Sequence, residues 1–243
     1  MRVPLWLHRR GFFGARAFAR PSDGSEEVDS GLPMANLVHR FISRQLRRPS
    51  GLFGRRVMTR LLDRGNAPLI QATVAAAALH SDSCYLDAGF GGGLSLRLAL
   101  RSSSNTPLYG IDFSPDVVRE GHRRFKTQIV RGEVALLKAD VADLPFRDGM
   151  FDAVTTINTV YFWPDPAAAF RELARVTAPG GRLAIGFTGA EKMAGHPELS
   201  TGFRHVGPAQ VEAWAEAAGF SSCVTQALEG RVTAGDFVTV AHR

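Results

Sequence analysis

One acid and three glycines recur at alternate positions in a single stretch, Asp87-x-Gly89-x-Gly91-x-Gly93. Apolar residues, Tyr85 and Leu86, run into it, and a helical pattern from Leu94 to Leu100 runs out of it. Glycine has no Cβ, so it turns a backbone through positive φ and lets a ligand approach closely. A loop that opens a helix also offers unpaired N–H groups to a polar or anionic partner. The chemistry this arrangement suits is nucleotide-type binding at the carboxyl end of a parallel sheet. The dinucleotide fingerprint does not fit, because its third glycine, counted from Gly89, falls on Leu94. The plainer reading is a structural glycine turn in another kind of α/β protein.

Further candidates stand where strands should end. Asp112 closes the apolar run from Leu108, nineteen positions after Gly93. A carboxylate there can accept from both ribose hydroxyls of an adenosyl group, or can simply make a turn. Asp140 closes the run from Val134 and is followed by Val141, Leu144-Pro145-Phe146 and Phe151-Asp152. Beyond the run Phe151–Asn158 comes Asn158-Thr159-Val160-Tyr161-Phe162-Trp163-Pro164. Ligand crevices in open α/β sheets lie past the carboxyl ends of strands, so these residues should line one. An aromatic wall suits a cation through its ring quadrupole, and equally a flat apolar substrate or core packing. Asn158 and Tyr161 are the better site candidates of that segment. His196 and His205, in the irregular stretch 188–207, are candidate general bases. A lone histidine is more often structural or exposed.

Glycine loop, two strand-end acids, Leu-Pro-Phe, Phe-Asp and Pro179-Gly180-Gly181 occur in that order. In this order they resemble the class I S-adenosylmethionine-dependent methyltransferases, on the branch that holds quinone-type and other small-molecule enzymes. The resemblance covers about residues 80–190 by motif and 200–243 by pattern. It implies S-adenosyl-L-methionine as cofactor, held by Asp87, Gly89, Gly91, Gly93, Asp112, Asp140, Val141 and Asn158. The glycine loop would pack on the methionine part. Asp140 would accept from the exocyclic amine of adenine, and the Val141 N–H would face a ring nitrogen. Tyr161, His196 and His205 are the candidate catalytic residues. The implied reaction is O- or C-methylation of a small, apolar or aromatic acceptor. Two alternatives stay open: a nucleic-acid-directed methyltransferase and a cofactor-binding protein without catalysis. A nicotinamide dehydrogenase would need the absent third glycine and a catalytic donor beyond the fourth strand.

The elements that must position these residues follow from periodicity. A strand opening at Tyr85-Leu86 and strands at 108–112, 134–140, 151–158 and 182–187 alternate with helices at 94–100, 116–125 and 166–177. Ser114 should cap the second of these, with Pro115 at its first position, and Pro179-Gly180-Gly181 should stop the third. A helix at 208–218 precedes two apolar strands, 223–228 and 237–242, which must pair antiparallel because no helix joins them. The fold expected is α/β, Rossmann-like and doubly wound. Its seven-stranded sheet is mainly parallel, with a C-terminal antiparallel hairpin and N-terminal capping helices. Residues 34–80 read as that helical cap, ending in a helix over 68–79. Residues 81–243 read as the core, with 188–207 as a lid.

The chain has 243 residues, of which 45% are hydrophobic and 21% charged, enough for one domain with a large core. Two distant cysteines, Cys84 and Cys223, give no metal spacing and no disulfide framework, so no metal is expected and a reducing cytoplasm is the default compartment. No apolar run is long enough for a membrane span. The net charge of +6 is uneven: residues 1–66 hold thirteen Arg and five acids, while the remainder is slightly acidic. That region reads either as solvated helix faces or as an arm for an anionic partner; no stacking aromatics accompany the arginines of 40–66, which favours the first. Residues 1–33 read as an Arg-rich, disordered extension or an organelle transit peptide. The partner expected is a small-molecule acceptor, not a nucleic acid. The oligomeric state is not legible in the chain.

Overall fold

The structure, a computed structural model, describes residues 65–102, 105–195 and 204–243. The readings of residues 1–33 and of the helices within 34–64, and the site candidate His196, lie outside the described residues.

Helix α1 (Ala67–Ala76) precedes strand β1 (Tyr85–Ala88), and the glycine loop leads into α2 (Leu94–Ala99). Then follow β2 (Leu108–Asp112), α3 (Pro115–Arg124), α4 (Lys126–Val130) and β3 (Val134–Lys138). Strand β4 (Phe151–Ile157) passes through a 3₁₀ turn (Val160–Phe162) into α5 (Pro166–Val176) and β5 (Thr177–Thr188). The chain closes with α6 (Ala190–Ala194), α7 (Pro208–Ala217), β6 (Ser222–Ala227) and β7 (Asp236–His242). The seven strands lie in the order β3-β2-β1-β4-β5-β7-β6. The first five are parallel, and β7 pairs antiparallel with both β5 and β6. This is the Rossmann-like seven-stranded sheet expected from the strand–helix alternation.

The alternation of side chains along each strand fills two cores. Leu86, Val154, Leu183 and Ile185 join one cluster with Phe170 and Leu173 of α5 and Val211 and Ala215 of α7. Tyr85, Ala153 and Ala184 join the other, with Leu96 of α2 and Val117 of α3. Burial on both faces is what a parallel sheet requires. The expected cap forms, Ser114 Oγ accepting from Val117 N–H, and α5 has one that the sequence reading did not name, Asp165 Oδ1 accepting from Ala168 N–H at 3.0 Å.

Two expectations need correction, and one element lies where the sequence reading made no assignment. Helix α5 ends at Val176, and Pro179-Gly180-Gly181 lies inside a twelve-residue β5. The pairing shifts register between Phe151 and Ala153, which accommodates these residues as an irregularity in the strand. The segment after α3 carries a further short helix, α4, with no buried residue and hence no apolar period to betray it. Strand β6 is an edge with mostly exposed residues, Val224 among them, and not an apolar core strand.

Candidate active site

Strand order reverses between β1 and its two neighbours, β2 on one side and β4 on the other. A crevice forms past the carboxyl ends of strands at such a switch point. A cavity of about 440 Å³ opens there, lined by the glycine loop, the ends of β2, β3 and β4, and residues of α1 and α6.

The three glycines do different work. Gly93 starts α2 at φ +77, and a Cβ there would meet Phe125 Cε2 at 2.6 Å. It serves the packing of α2 on α3 and is not among the lining residues. Gly89 takes φ +89, and a Cβ would collide with Thr159. Gly91, at φ +49, would meet nothing nearer than Gly89 O at 4.0 Å. Space is therefore left open at Gly91, on the cavity side, where a ligand's atoms can approach the backbone.

Asp87 lines the cavity but is buried, and its carboxylate is engaged by its own fold. Ser95 Oγ donates to Oδ2 and Thr155 Oγ1 to Oδ1 at 3.0 Å, with Tyr85 hydroxyl 2.5 Å from Thr155. This network ties β1, β4 and the first turn of α2 together. The buried Tyr85 phenol has its pKa raised by burial and then by the Asp87 charge, and stays protonated.

Asp112 joins the glycine loop directly. Its Oδ2 accepts from Gly91 N–H at 3.2 Å and its Oδ1 from Ser114 N–H at 2.9 Å. Burial pushes the carboxyl up to about 6 against the lowering effect of those two N–H groups. Phe113 follows it, exposed at the cavity rim. Past the end of the neighbouring β3, where Ala139 N–H bonds to Asp112 O, Asp140 Oδ1 accepts from Ala142 N–H at 2.9 Å, and Val141 lines the wall beside it. Asn158, at the end of β4, holds a left-handed φ of 54 and borders the same space.

Tyr161 is buried at the cavity wall, and its hydroxyl is anchored. It lies 2.9 Å from Asn158 Oδ1 and 3.1 Å from Thr188 O, and it accepts from Thr188 N–H. Burial raises its pKa, so the phenol is a poor base and a good strut. His205 is exposed and does not line the cavity.

Eight of the described candidates thus meet at one cavity, while Gly93 and His205 stand apart. Some lining residues escaped the sequence reading. Phe113 had a signal, an aromatic directly after a strand-end acid. Asn66 sits at the start of α1 and lines the cavity, without capping the helix through its side chain. Met193 of α6 is fully buried at the cavity, in a stretch with no pattern to announce it.

The donor set fits an adenosyl sulfonium. Asp112 offers a carboxylate to vicinal hydroxyls, and Asp140 is an acceptor at the rim. The space at Gly91 is open, and Tyr161, Phe162 and Trp163 line the same cavity, where aromatic rings suit a cation. Residues 86–185 match the family described as a methyltransferase domain. That is the domain to which this stretch of the chain is similar. The 2-phytyl-1,4-naphtoquinone methyltransferase of Trichormus variabilis is 37% identical over 109 residues, covering 44% of this chain and 47% of that protein. The ubiquinone/menaquinone biosynthesis C-methyltransferase of Geotalea daltonii is 33% identical over 94 residues, covering 39% of this chain and 40% of that protein. The chain spans about half the length of the first of these curated relatives, and of others named like it. Among solved structures, a chain of the Haloferax volcanii complex containing the Trm112 methyltransferase activator superposes with a TM-score of 0.69 at 18% identity, covering 83% of this chain and 96% of that one. At that identity the likeness concerns the fold.

Proposed function

We propose that this chain moves a methyl group from S-adenosylmethionine to a small, apolar or aromatic acceptor, at oxygen or carbon. The cofactor, when bound, supplies a methyl carbon already activated by positive sulfur. The chain's own residues bind, orient and exclude water. Asp112 receives the ribose hydroxyls, Asp140 and Val141 the adenine, and the Gly89–Gly92 loop the methionine part. Asn158 and the aromatic residues of 161–163 flank the sulfonium and the acceptor. The names of the quinone methyltransferases it resembles support an acceptor of that character.

Catalysis in this reading comes mainly from alignment of two reactants in a closed space. Tyr161 is a positioning residue, since its hydroxyl is already spent on Thr188 and Asn158. His196 stays a candidate base for acceptors that hold their proton tightly. The free thiols of Cys84 and Cys223 support a reducing compartment such as the cytoplasm.

The observation that carries this reading is the meeting of Asp112, Asp140 and the glycine loop on one cavity. The test is incubation with methyl-labelled cofactor and a panel of hydroquinones, phenols and isoprenoid lipids. Label transferred to at least one acceptor, and lost on Asp112→Ala, is the expected result. Tight binding of S-adenosylhomocysteine with no transfer to any acceptor points instead to a binding protein.

A further inference from the structure

Helix α5 carries an ion pair whose bonds are directed at a loop. Arg175 uses all five of its N–H donors. Nε and Nη2 grip Glu172 at 2.7 Å each; Nη1 reaches Phe146 O and Asp148 Oδ1 at 2.7 Å each; Nη2 also reaches Leu144 O at 3.0 Å. Glu172 Oε2 in turn accepts from Leu144 N–H at 2.8 Å. Both backbone polar groups of Leu144 are therefore held by one side-chain pair, as a neighbouring strand would hold them. Gly149 N–H adds a bond to Arg175 O at 2.8 Å.

The loop needs such a partner. It runs from the end of β3, at one edge of the sheet, to the start of β4, with no helix or strand of its own. Ordering that many residues costs conformational entropy which packing or bonding must offset. Its first turn is closed by Ala142 N–H to Asp140 Oδ1 and Asp143 N–H to Asp140 O at 3.1 Å. The next residue is Leu144. A pin at Leu144 thus fixes the far end of the turn that presents Asp140 and Val141 to the cavity. An ordinary surface ion pair contributes little, but this one is bidentate, and its remaining donors go to main-chain carbonyls and Asp148.

We infer that the Glu172–Arg175 pair is a positioning device for the Asp140–Val141 rim of the cavity, acting through the Leu144 and Phe146 main chain. The inference rests on the reading of that cavity as an adenosyl site. It assigns to two residues outside the cavity a role in cofactor affinity, separate from any role in acceptor binding.

The test is a double-mutant cycle read by calorimetry with S-adenosylhomocysteine, using Glu172→Gln, Asp140→Ala and the double variant. Glu172→Gln should weaken binding by about tenfold in the native background and by less than about twofold when Asp140 is already Ala. The KM for the cofactor should rise while the KM for the acceptor holds. Arg175→Lys, which keeps the charge but loses the fork, replaces Glu172→Gln if that variant fails to fold. Unchanged affinity in a folded variant, or losses that simply add, overturns this inference alone. A folded wild type that binds no S-adenosylhomocysteine overturns the adenosyl reading, and this inference with it.

Discussion

Asp112 titrates at about 6 because it is buried, and the sign of that shift can be measured twice. The folded state holds its proton more tightly than the unfolded chain does. This group therefore adds stability as pH falls from 6 towards 4, and that contribution is withdrawn as pH rises through 6. Binding runs the other way. Ribose hydroxyls donate to the ionised carboxylate, so affinity for S-adenosylhomocysteine should be full above about pH 6 and fall by up to about tenfold per unit below it. Calorimetry between pH 5 and 8 checks this, and a flat profile would separate the carboxylate from the ligand. The glycines offer a second contrast at this scale. Gly93→Ala should cost roughly 2–3 kcal/mol of stability, from the left-handed backbone together with the clash at Phe125. Gly91→Ala should cost only about 1 kcal/mol in the empty protein, yet weaken ligand binding, since its Cβ enters open space. Denaturant melts of both variants, set beside their binding curves, read the difference.

At the level of elements, the 3₁₀ turn after β4 is held against the end of β5 by the Tyr161 hydroxyl. Tyr161→Phe leaves Thr188 N–H without its acceptor, and should destabilise the protein by about 1–3 kcal/mol. The shape of its pH–rate profile should stay as in the wild type; loss of a titrating limb would instead mark the phenol as a base. The parallel core was legible because its first three strands are short apolar runs closed by an acid, and α3 has its Ser114 cap. The site was legible for the same reason: its residues stand at strand ends, and topology brings strand ends together. What stayed hidden was set by contacts distant in the chain. Whether Pro179-Gly180-Gly181 ends a helix or lies within a strand depends on pairing with β4 and on the bonds that Gly180 N–H and Gly181 O make to Arg243. Met193 reaches the cavity only because α6 is seated on the turn before β7, where Lys192 meets Asp236 at 2.8 Å. His205 shows the converse, a chemically able side chain that the fold leaves on the surface.

For the molecule as a whole, charge is the feature that the cavity does not absorb. Thirteen arginines lie within residues 1–66, while the rest of the chain is slightly acidic. With a small-molecule acceptor, removal of residues 1–33 should leave cofactor affinity within about twofold and the protein's salt dependence weak. A nucleic-acid acceptor predicts instead binding that falls steeply with salt and is lost with residues 1–66. Filter binding at several salt concentrations separates the two.

The most direct measurement is calorimetric titration of S-adenosylhomocysteine into the folded wild type and into Asp112→Ala. Saturable one-to-one binding by the first, weakened at least about tenfold in the second, is what the geometry predicts. Equal affinity in both, or no heat from either, would contradict it.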